Sequence, residues 1–286
     1  MNGILVIKKP KGYTSRDIVN IAVKSLGTKK IGHTGTLDPM AEGVLVLCVG
    51  QALKMCEMLT DHKKTYLAGI TLGIETDTLD IEGKVLSTKI VDISDELIHS
   101  VVKSFQKTYL QEVPKYSAVK VNGKKLYEYA RNNQPVTLPK KEVTIESIEI
   151  IDDIITENGH IHFTIKCSVS KGTYIRSLAR DIGKTLGVPA VLHSLIRINL
   201  GQFSLDDAIT LEDLRTGNYQ LLNIKNAFPN IPTKTVDGHE LFKIKNGAPI
   251  DHFVGSDMFF IEDPEKKLIA LYKNDDNLAR VYKMFT

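Results

Sequence analysis

The sequence has no tryptophan and only three cysteines among its 286 residues. Three is an odd number, and Cys48, Cys56 and Cys167 lack metal-ligand spacing, so we expect reduced thiols and neither a disulfide framework nor a metal site. No stretch approaches the roughly 20 apolar residues that a bilayer crossing needs. The first residues also lack the basic, apolar and small-residue regions of a secretory signal. We therefore expect a cytoplasmic protein.

Nucleotide-binding fingerprints and internal repeats are also missing, so nothing in the sequence supports nucleotide-driven chemistry. Hydrophobic residues make up 42% and charged residues 25% of the chain, which are ordinary globular values and exclude wholesale disorder. The length corresponds to about two domains. Because short strands punctuated by glycine and proline begin near residue 232, we predict a large domain over 1–231 and a small β-rich module over 232–286.

The net charge of +3 is unevenly distributed along the chain. Residues 1–36 carry +6 and residues 115–142 carry +5, whereas the remaining blocks are mildly acidic. Two basic segments on an acidic body are typical of proteins that bind a polyanion. A lysine-rich solvated surface would give the same counts, so charge alone leaves both interpretations open.

Strand and helix patterns alternate without a regular βαβ period. The clearest are a strand over 3–8, a helix capped by Thr14 or Ser15 that ends at Gly27, and a strand over 44–49 that is apolar throughout. Further patterns predict helices at 51–59, 95–105, 126–131 and from 175, and strands at 64–72, 84–90, 142–151, 159–169 and 190–200. Between these elements, residues 107–141 form a Lys- and Tyr-rich excursion with an Asn-Gly turn, which we expect to project from the body.

The loop over 32–43 concentrates glycine, proline and polar residues between predicted buried elements, which makes it a candidate site. Pro39 disfavours the helical region for Asp38 and holds it extended. The flanking glycines permit close approach of a ligand or of another backbone. Asp38 is therefore a candidate functional carboxylate, although Asp-Pro is also ordinary turn chemistry.

Two further candidates follow from residue type. Arg176 enters a helix just after Gly172, and if its partner were Asp38 it would keep that acid ionised, as a nucleophile requires. A structural ion pair or a solvated arginine is the alternative. Tyr66 lies on a strand near the loop, where an aromatic ring could stack on a base or could simply be part of the core.

Four long motifs in order carry a family resemblance. They read GHTGTLDPMAEGVLVLCVGQALK, KTYLAGITLGIETDTLDIEG, VPKYSAVKVNGKKLYEYAR and SKGTYIRSLARDIGKTLGVPAVLHSLIR. Together they resemble the bacterial TruB family, the tRNA pseudouridine-55 synthases. The resemblance is close over residues 1–200 and loose over the remainder.

The resemblance implies roles for individual residues. Asp38 would be the catalytic nucleophile and Arg176 its ion-pair partner. Tyr66 would stack on the flipped uracil and take part in proton transfer, while His33 would fill the gap that the base leaves. Two further residues would line the nucleotide pocket, namely Tyr174 and Leu195. Whether the carboxylate attacks the ribose or the uracil ring stays open.

The resemblance also implies the fold class and the partners. The fold would be α+β, with a central mixed but mostly antiparallel sheet flanked by helices, a thumb-like insertion over about 107–141 and a C-terminal β-barrel module of the PUA type. Phosphates of the tRNA T-arm would contact the basic side chains Lys115, Lys120, Lys124, Lys125 and Arg131. The isomerisation needs no redox step or group transfer, so no cofactor or metal is expected, and neither is an obligatory protein partner; we expect a monomer.

Two rival functions remain compatible with the residues alone. The first is a non-catalytic RNA-binding or tRNA-folding protein on the same scaffold, although such a protein has no need for an ionised carboxylate beside RNA. The second is a carboxylate-based nucleoside or sugar hydrolase, which would normally carry a second acid as proton donor.

Overall fold

The computed structural model describes residues 1–275 and 277–285. The described residues contain seven α-helices. They are α1 Ser15–Leu26, α2 Cys56–Thr60, α3 Asp95–Ser104, α4 Leu126–Arg131, α5 Ile175–Thr185, α6 Leu211–Thr216 and α7 Gly238–Lys245, with 3₁₀ turns at Gly50–Met55 and Lys225–Ala227. Within these residues no helix combines the length and apolar character needed to span a membrane.

The strands form one large sheet, one smaller sheet and two short hairpins. In chain order they are β1 Gly3–Lys9, β2 Ile31–His33, β3 Glu42–Val49, β4 Lys64–Leu72, β5 Ile74–Thr76, β6 Val85–Thr88, β7 Thr108–Glu112, β8 Lys120–Val121, β9 Lys124–Lys125, β10 Lys140–Ile150, β11 Ile155–Glu157, β12 His160–Val169, β13 Ala190–Leu200, β14 Phe203–Ser204, β15 Thr233–Thr235, β16 Ile250–Asp251, β17 Met258–Glu262, β18 Leu268–Asp275 and β19 Leu278–Met284.

The large sheet has ten strands in the order β1-β3-β13-β4-β12-β10-β7, with β2, β11 and β14 as side branches. Only the short β3–β13 pairing in it is parallel, and its other pairings in the described residues are antiparallel. Helices α3 and α5 pack on the part of this sheet that contains β4, β10 and β12. The predicted class, a mixed but mostly antiparallel sheet flanked by helices, is confirmed.

The packing of strand β3 explains why its residues 44–49 are all apolar. Successive side chains of a strand point to opposite faces, and here both faces are covered. Leu45, Leu47 and Val49 belong to a core with α1 and α6, whereas Val44 and Val46 belong to a second core that includes residues of the C-terminal sheet. The strand is therefore buried on both sides, as its sequence predicts.

Helix α1 begins at a capping box in which Thr14 and Asp17 satisfy each other's backbone, and it ends at Gly27 in the left-handed conformation. The sequence leaves Thr14 and Ser15 as alternative caps; the structure selects Thr14. Ser15 is buried and bonds instead to the backbone of the loop over 32–43. A cap that uses Thr14 thus frees the Ser15 hydroxyl to hold the candidate site.

The basic excursion starts and ends inside the large sheet. Strand β7 pairs with Lys140–Thr144 of β10, so its residues are held by a backbone ladder and do not project. Between these two strands lies the shorter segment 113–139, which contains the β8–β9 hairpin, with its turn at Asn122 and Gly123, and helix α4. We call residues 113–139 the thumb segment.

The C-terminal residues form a five-stranded sheet in the order β15-β17-β18-β19-β16. Its first strand begins at Thr233, close to the predicted boundary. Helix α7 covers one face of this sheet. The glycine-punctuated sequence does not predict this helix. The two edge strands are unpaired with each other in the described residues, which makes the sheet an open half-barrel. Phe260, Leu271 and Phe285 of this module complete a core shared with β1 and β3.

Gly43 sets the register of β3 against β13. It pairs with Arg197, has a φ of 103°, and a Cβ there would overlap the Arg197 carbonyl oxygen. Gly217 has a similar φ of 81° but open space around it.

We predict that Gly43→Ala lowers the free energy of unfolding by about 2 kcal/mol more than Gly217→Ala, because overpacking adds to the shared backbone strain. Equal losses in urea denaturation would contradict this.

Candidate active site

A cavity of about 340 Å³ opens beside the loop over 32–43, the first turn of α5 and the base of the thumb segment. Its floor is the face of the sheet formed by β4 and β13. The lining residues come from five separate stretches of the chain: 35–38, 60–66, 116–118, 171–176 and 195–197. Five of the six predicted catalytic and pocket residues lie together here, and they are Asp38, Tyr66, Tyr174, Arg176 and Leu195.

The backbone on either side of Asp38 is held by the β1–α1 connection. The Leu37 amide donates to Ser15 Oγ at 2.8 Å. The Pro39 carbonyl accepts from the Gly12 amide at 2.8 Å and from Lys9 Nζ at 3.4 Å. Asp38 is therefore presented from a loop that is anchored at both neighbours.

Arg176 binds Asp38 directly. Its Nε lies 2.8 Å from Asp38 Oδ2, and the side chain of Arg176 is only 6% exposed whereas that of Asp38 is 35% exposed. The remaining guanidinium nitrogens donate to the carbonyls of Thr78 at 2.9 Å and Tyr116 at 3.1 Å. One arginine thus joins the Asp38 loop, the loop after β5 and the thumb segment, and it leaves the carboxylate open to the cavity.

Asp80 is a second acid on the same arginine, and sequence reasoning missed it. Its Oδ2 lies 3.6 Å from Arg176 Nη1, and its side chain is 11% exposed. Burial raises the pKa of Asp80, and Asp38 adds to the rise, while hydrogen bonding by Thr78 and the charge of Arg176 oppose it. Asp80 lies in a polar loop without a pattern of its own, and the only available signal was its place inside one of the four motifs.

Tyr66, Leu195 and Arg197 share one face of the sheet. Arg197 is paired with Tyr66 and Leu195 with Ala68 across the β4–β13 ladder. Because directly paired residues point to the same face, these side chains line the cavity together with Asp38.

Tyr174 closes the site from the start of α5. Its backbone amide donates to Gln111 Oε1 at 2.8 Å, which ties the helix start to strand β7. Burial raises the pKa of the Tyr174 phenol, so the hydroxyl stays protonated and can donate a hydrogen bond near neutral pH.

His33 lies at the end of β2, outside the set of cavity-lining residues. Its Nδ1 accepts from the Gly35 amide at 3.4 Å, and burial together with Arg197 lowers its pKa. The ring is therefore neutral at pH 7 and oriented by the loop. Its predicted role beside a flipped base stays a prediction.

The five predicted phosphate contacts all lie within the thumb segment. Lys120, Lys124 and Arg131 are exposed, whereas Lys115 and Lys125 are half-buried. Lys125 and Arg131 both lie over the ring of Tyr127, with 5.4 Å and 5.3 Å from the cation to the ring centroid. This arrangement presents positive charge on and beside the short helix α4.

Three buried cations were missed as site components: Lys9, Lys64 and Arg197. Lys64 and Arg197 line the cavity, whereas Lys9 lies beneath the Asp38 loop. A single charged residue within an apolar strand does not by itself predict a site residue, because its side chain can equally face solvent. Only the packing of the strands shows that these side chains are enclosed.

Comparison with known proteins gives consistent results. Residues 23–175 match the model described as "TruB family pseudouridylate synthase (N terminal domain)", and residues 176–223 match the "tRNA pseudouridylate synthase B C-terminal domain". A protein named tRNA pseudouridine synthase B from Bacillus pumilus is 42% identical, covering 95% of this chain and 93% of its own length. One with that name from Staphylococcus aureus strain Newman is 41% identical, with 95% and 94% covered.

Solved structures share the fold at lower identity. A Cbf5-Nop10-Gar1 complex contains a chain with a TM-score of 0.72 and 24% identity, covering 99% of this chain and 85% of that one. An H/ACA RNP bound to a substrate RNA containing 2′-deoxyuridine gives 0.71 and 22% with the same coverage. At this identity the likeness concerns the fold.

Lys9 makes stability depend on pH in the alkaline range. Burial lowers the pKa of Lys9 from 10.5 to about 8. Between these values the unfolded chain binds a proton that the folded chain does not, so the free energy of unfolding rises with pH. We predict that the free energy of unfolding of the unaltered protein, minus that of Lys9→Met, increases from pH 8 to pH 10.5 by up to about 1.4 kcal/mol per pH unit. A difference that is constant across this range in urea denaturation would contradict it.

Proposed function

Since the chain belongs to the TruB family of pseudouridylate synthases, we propose that it converts the uridine at position 55 in the T-loop of tRNA to pseudouridine by base flipping and covalent catalysis. The observation that carries the residue assignment is the Asp38–Arg176 ion pair at the wall of the cavity. It supplies a carboxylate that is oriented by the arginine and accessible from the cavity. These are the properties that a carboxylate nucleophile needs.

The reaction is an isomerisation. The bond between the ribose and N1 of uracil breaks, a bond from the ribose to C5 forms, C5 loses a proton and N1 gains one. Electrons balance without an oxidant or reductant. The protein must therefore supply a nucleophile, a closed space in which the uracil turns, and groups that move a proton.

Asp38 supplies the nucleophile, and Arg176 positions it. The guanidinium is held by two backbone carbonyls and by Asp80, so it cannot rotate away when Asp38 bonds to the substrate. The second carboxylate also balances the charge of the arginine while Asp38 is engaged. Arg176 and Asp80 are thus positioning residues for one reacting atom.

The target uridine has to leave its stack, at a cost of a few kcal/mol. Tyr66 offsets part of that cost by stacking on the uracil, and His33 fills the position that the base leaves. Leu195 and Tyr174 exclude water around the ring. The Tyr66 hydroxyl is the group available for proton transfer on the sheet side of the base.

The two rival functions fit the site less well. A pure RNA-binding protein gains nothing from a partly exposed carboxylate beside its polyanionic ligand, because like charges repel. A glycoside-type hydrolase needs a second acid facing the substrate. Asp80 is the nearest candidate, but it is bound to Arg176 and is not part of the cavity lining.

We further infer how the chain is organised and where it acts. Residues 1–231 are the catalytic domain, and residues 232–286 are an RNA-binding module of the PUA type. We also propose that the protein acts as a monomer and needs no obligatory protein partner. A tRNA substrate supports action in the cytoplasm.

Replacing Asp38 tests the catalytic assignment. Asp38→Asn keeps the size and hydrogen bonding of the side chain while it removes the nucleophile, so we predict that turnover falls by a factor of at least about 10⁴, the range that removal of a nucleophile costs. Affinity for a T-arm stem-loop RNA should change little. The measurements are pseudouridine formation by mass spectrometry and binding by fluorescence anisotropy. Turnover close to that of the unaltered protein would refute the assignment, and release of free uracil would favour the hydrolase.

Neutralising the thumb segment tests the phosphate contacts. Lys124→Gln with Lys125→Gln should weaken RNA binding and reduce the slope of log K against log salt by about 0.7 to 0.9 for each phosphate that the variant no longer neutralises. The matched control is Lys103→Gln with Lys184→Gln, which changes the same charge on the exposed faces of α3 and α5. An unchanged slope in the thumb variant, or an equal change in the control, would argue against these contacts.

A further inference from the structure

One end of the cavity contains two buried cations without an acidic partner. Lys64 is 7% exposed and Arg197 is 1% exposed, and both line the cavity. Within the described residues, neither has a carboxylate oxygen within 4 Å. Buried charges are normally paired, so this end of the cavity carries positive charge that the protein itself does not neutralise.

The two cations lie on the same face of the sheet as Tyr66. Arg197 is the direct ladder partner of Tyr66. Lys64 precedes Tyr66 by two residues on β4, which places it on the same face about 7 Å further along the strand. Gly35 lies between the cationic groups, since a Cβ there would be 3.6 Å from Arg197 Nη1 and 3.9 Å from Lys64 Cε.

Both side chains have donors to spare. Lys64 Nζ donates to the carbonyls of Thr60 and His62, each at 2.6 Å, which uses two of its three N–H groups. Arg197 donates from Nε to the Val44 carbonyl at 2.7 Å and from Nη2 to the Gly35 carbonyl at 3.1 Å, which uses two of five. The unused donors belong to groups that line the cavity.

Other buried cations of the chain show that this is not the general pattern. Lys9 donates to the carbonyls of Pro10, Tyr13 and Pro39 and does not line the cavity. Arg176 has two carboxylates beside it. Backbone carbonyls thus use all the donors of Lys9, and acids balance the charge of Arg176, whereas neither holds for Lys64 and Arg197.

The acid that acts on Lys64, Asp61, already forms an ion pair with another lysine. Asp61 pairs with Lys171, and both side chains of this pair are more than half exposed at the rim. Burial, together with the positive charges of Arg197 and Lys171, lowers the pKa of Lys64 to about 8, and Asp61 offsets only part of this decrease. An anion bound between Lys64 and Arg197 would relieve this repulsion.

We propose that Lys64 and Arg197 form a phosphate subsite that binds the phosphodiester flanking the target uridine while its uracil lies against Tyr66. The proposal rests on the proposed function, because it takes the flipped nucleotide as the occupant of the cavity. The subsite holds the backbone of that nucleotide at a fixed distance from the aromatic platform. The ribose is thereby kept beside Asp38 while the base is detached.

The test pairs a protein change with an RNA change. T-arm stem-loops carry a neutral methylphosphonate at either the 5′ or the 3′ phosphate of the target uridine, and kcat/KM is measured for the unaltered protein, Lys64→Met and Lys64→Arg. We expect one of the two methylphosphonates to lower kcat/KM about tenfold with the unaltered protein and with Lys64→Arg, as loss of a charge-assisted hydrogen bond does. With Lys64→Met the same modification should cost little.

The control is Lys63→Met, which removes the neighbouring exposed lysine that pairs with Glu146 and should leave the methylphosphonate effect unchanged. The proposal is overturned if neither methylphosphonate slows the unaltered protein, or if Lys64→Met lowers kcat/KM by the same factor on charged and neutral RNA. Inactivity of both Lys64→Met and Lys64→Arg would also overturn it, because a retained charge should rescue a phosphate contact. Failure of the unaltered protein to isomerise the unmodified stem-loop would instead refute the proposed function.

Discussion

The ion pair between Arg176 and Asp38 is the interaction on which the site depends. The arginine is almost fully buried, and it contacts the Asp38 loop, the loop that contains Thr78 and Asp80, and the thumb segment at Tyr116. Desolvating a guanidinium is costly unless its donors are satisfied, and here acids and carbonyls from three segments satisfy them. The same charge that holds these segments together keeps one carboxylate oriented toward the cavity.

The rest of the fold supplies rigid attachment points for that pair. Strand β3 is buried on both faces, in one core shared with α1 and in another shared with the C-terminal sheet, so the loop that precedes it leads into a fixed strand. Ser15 and Gly12 then hold the residues on either side of Asp38. Because preorganised groups need not be ordered during the reaction, a loop with this much anchoring suits covalent catalysis better than a mobile one.

Local sequence patterns predicted much of the architecture and part of the site. The apolar strand over 44–49 and the capped helix that ends at Gly27 were predicted correctly because periodicity and capping act over a few residues. The sheet class was predicted correctly from the family resemblance. Helix α7 was missed because its glycine-rich flanks favour turns. The ends of the basic excursion were wrongly predicted to project because ladder pairing with β10 is not a local property. Lys64 and Asp80 were missed because nothing adjacent to them marks burial.

The sequence by itself determined most of the strands and helices up to residue 200, several of the turns between them, and that a constrained aspartate follows a glycine-rich stretch. Only the tertiary structure decided which charges meet. Arg176 and Arg197 are both single arginines near apolar residues, yet one faces two acids while the other bonds to the carbonyl of Val44, 153 residues away in the chain, and has no acid beside it among the described residues. The physical reason is that ion pairing depends on distances of a few ångströms between remote segments, and those distances are set by strand order and burial.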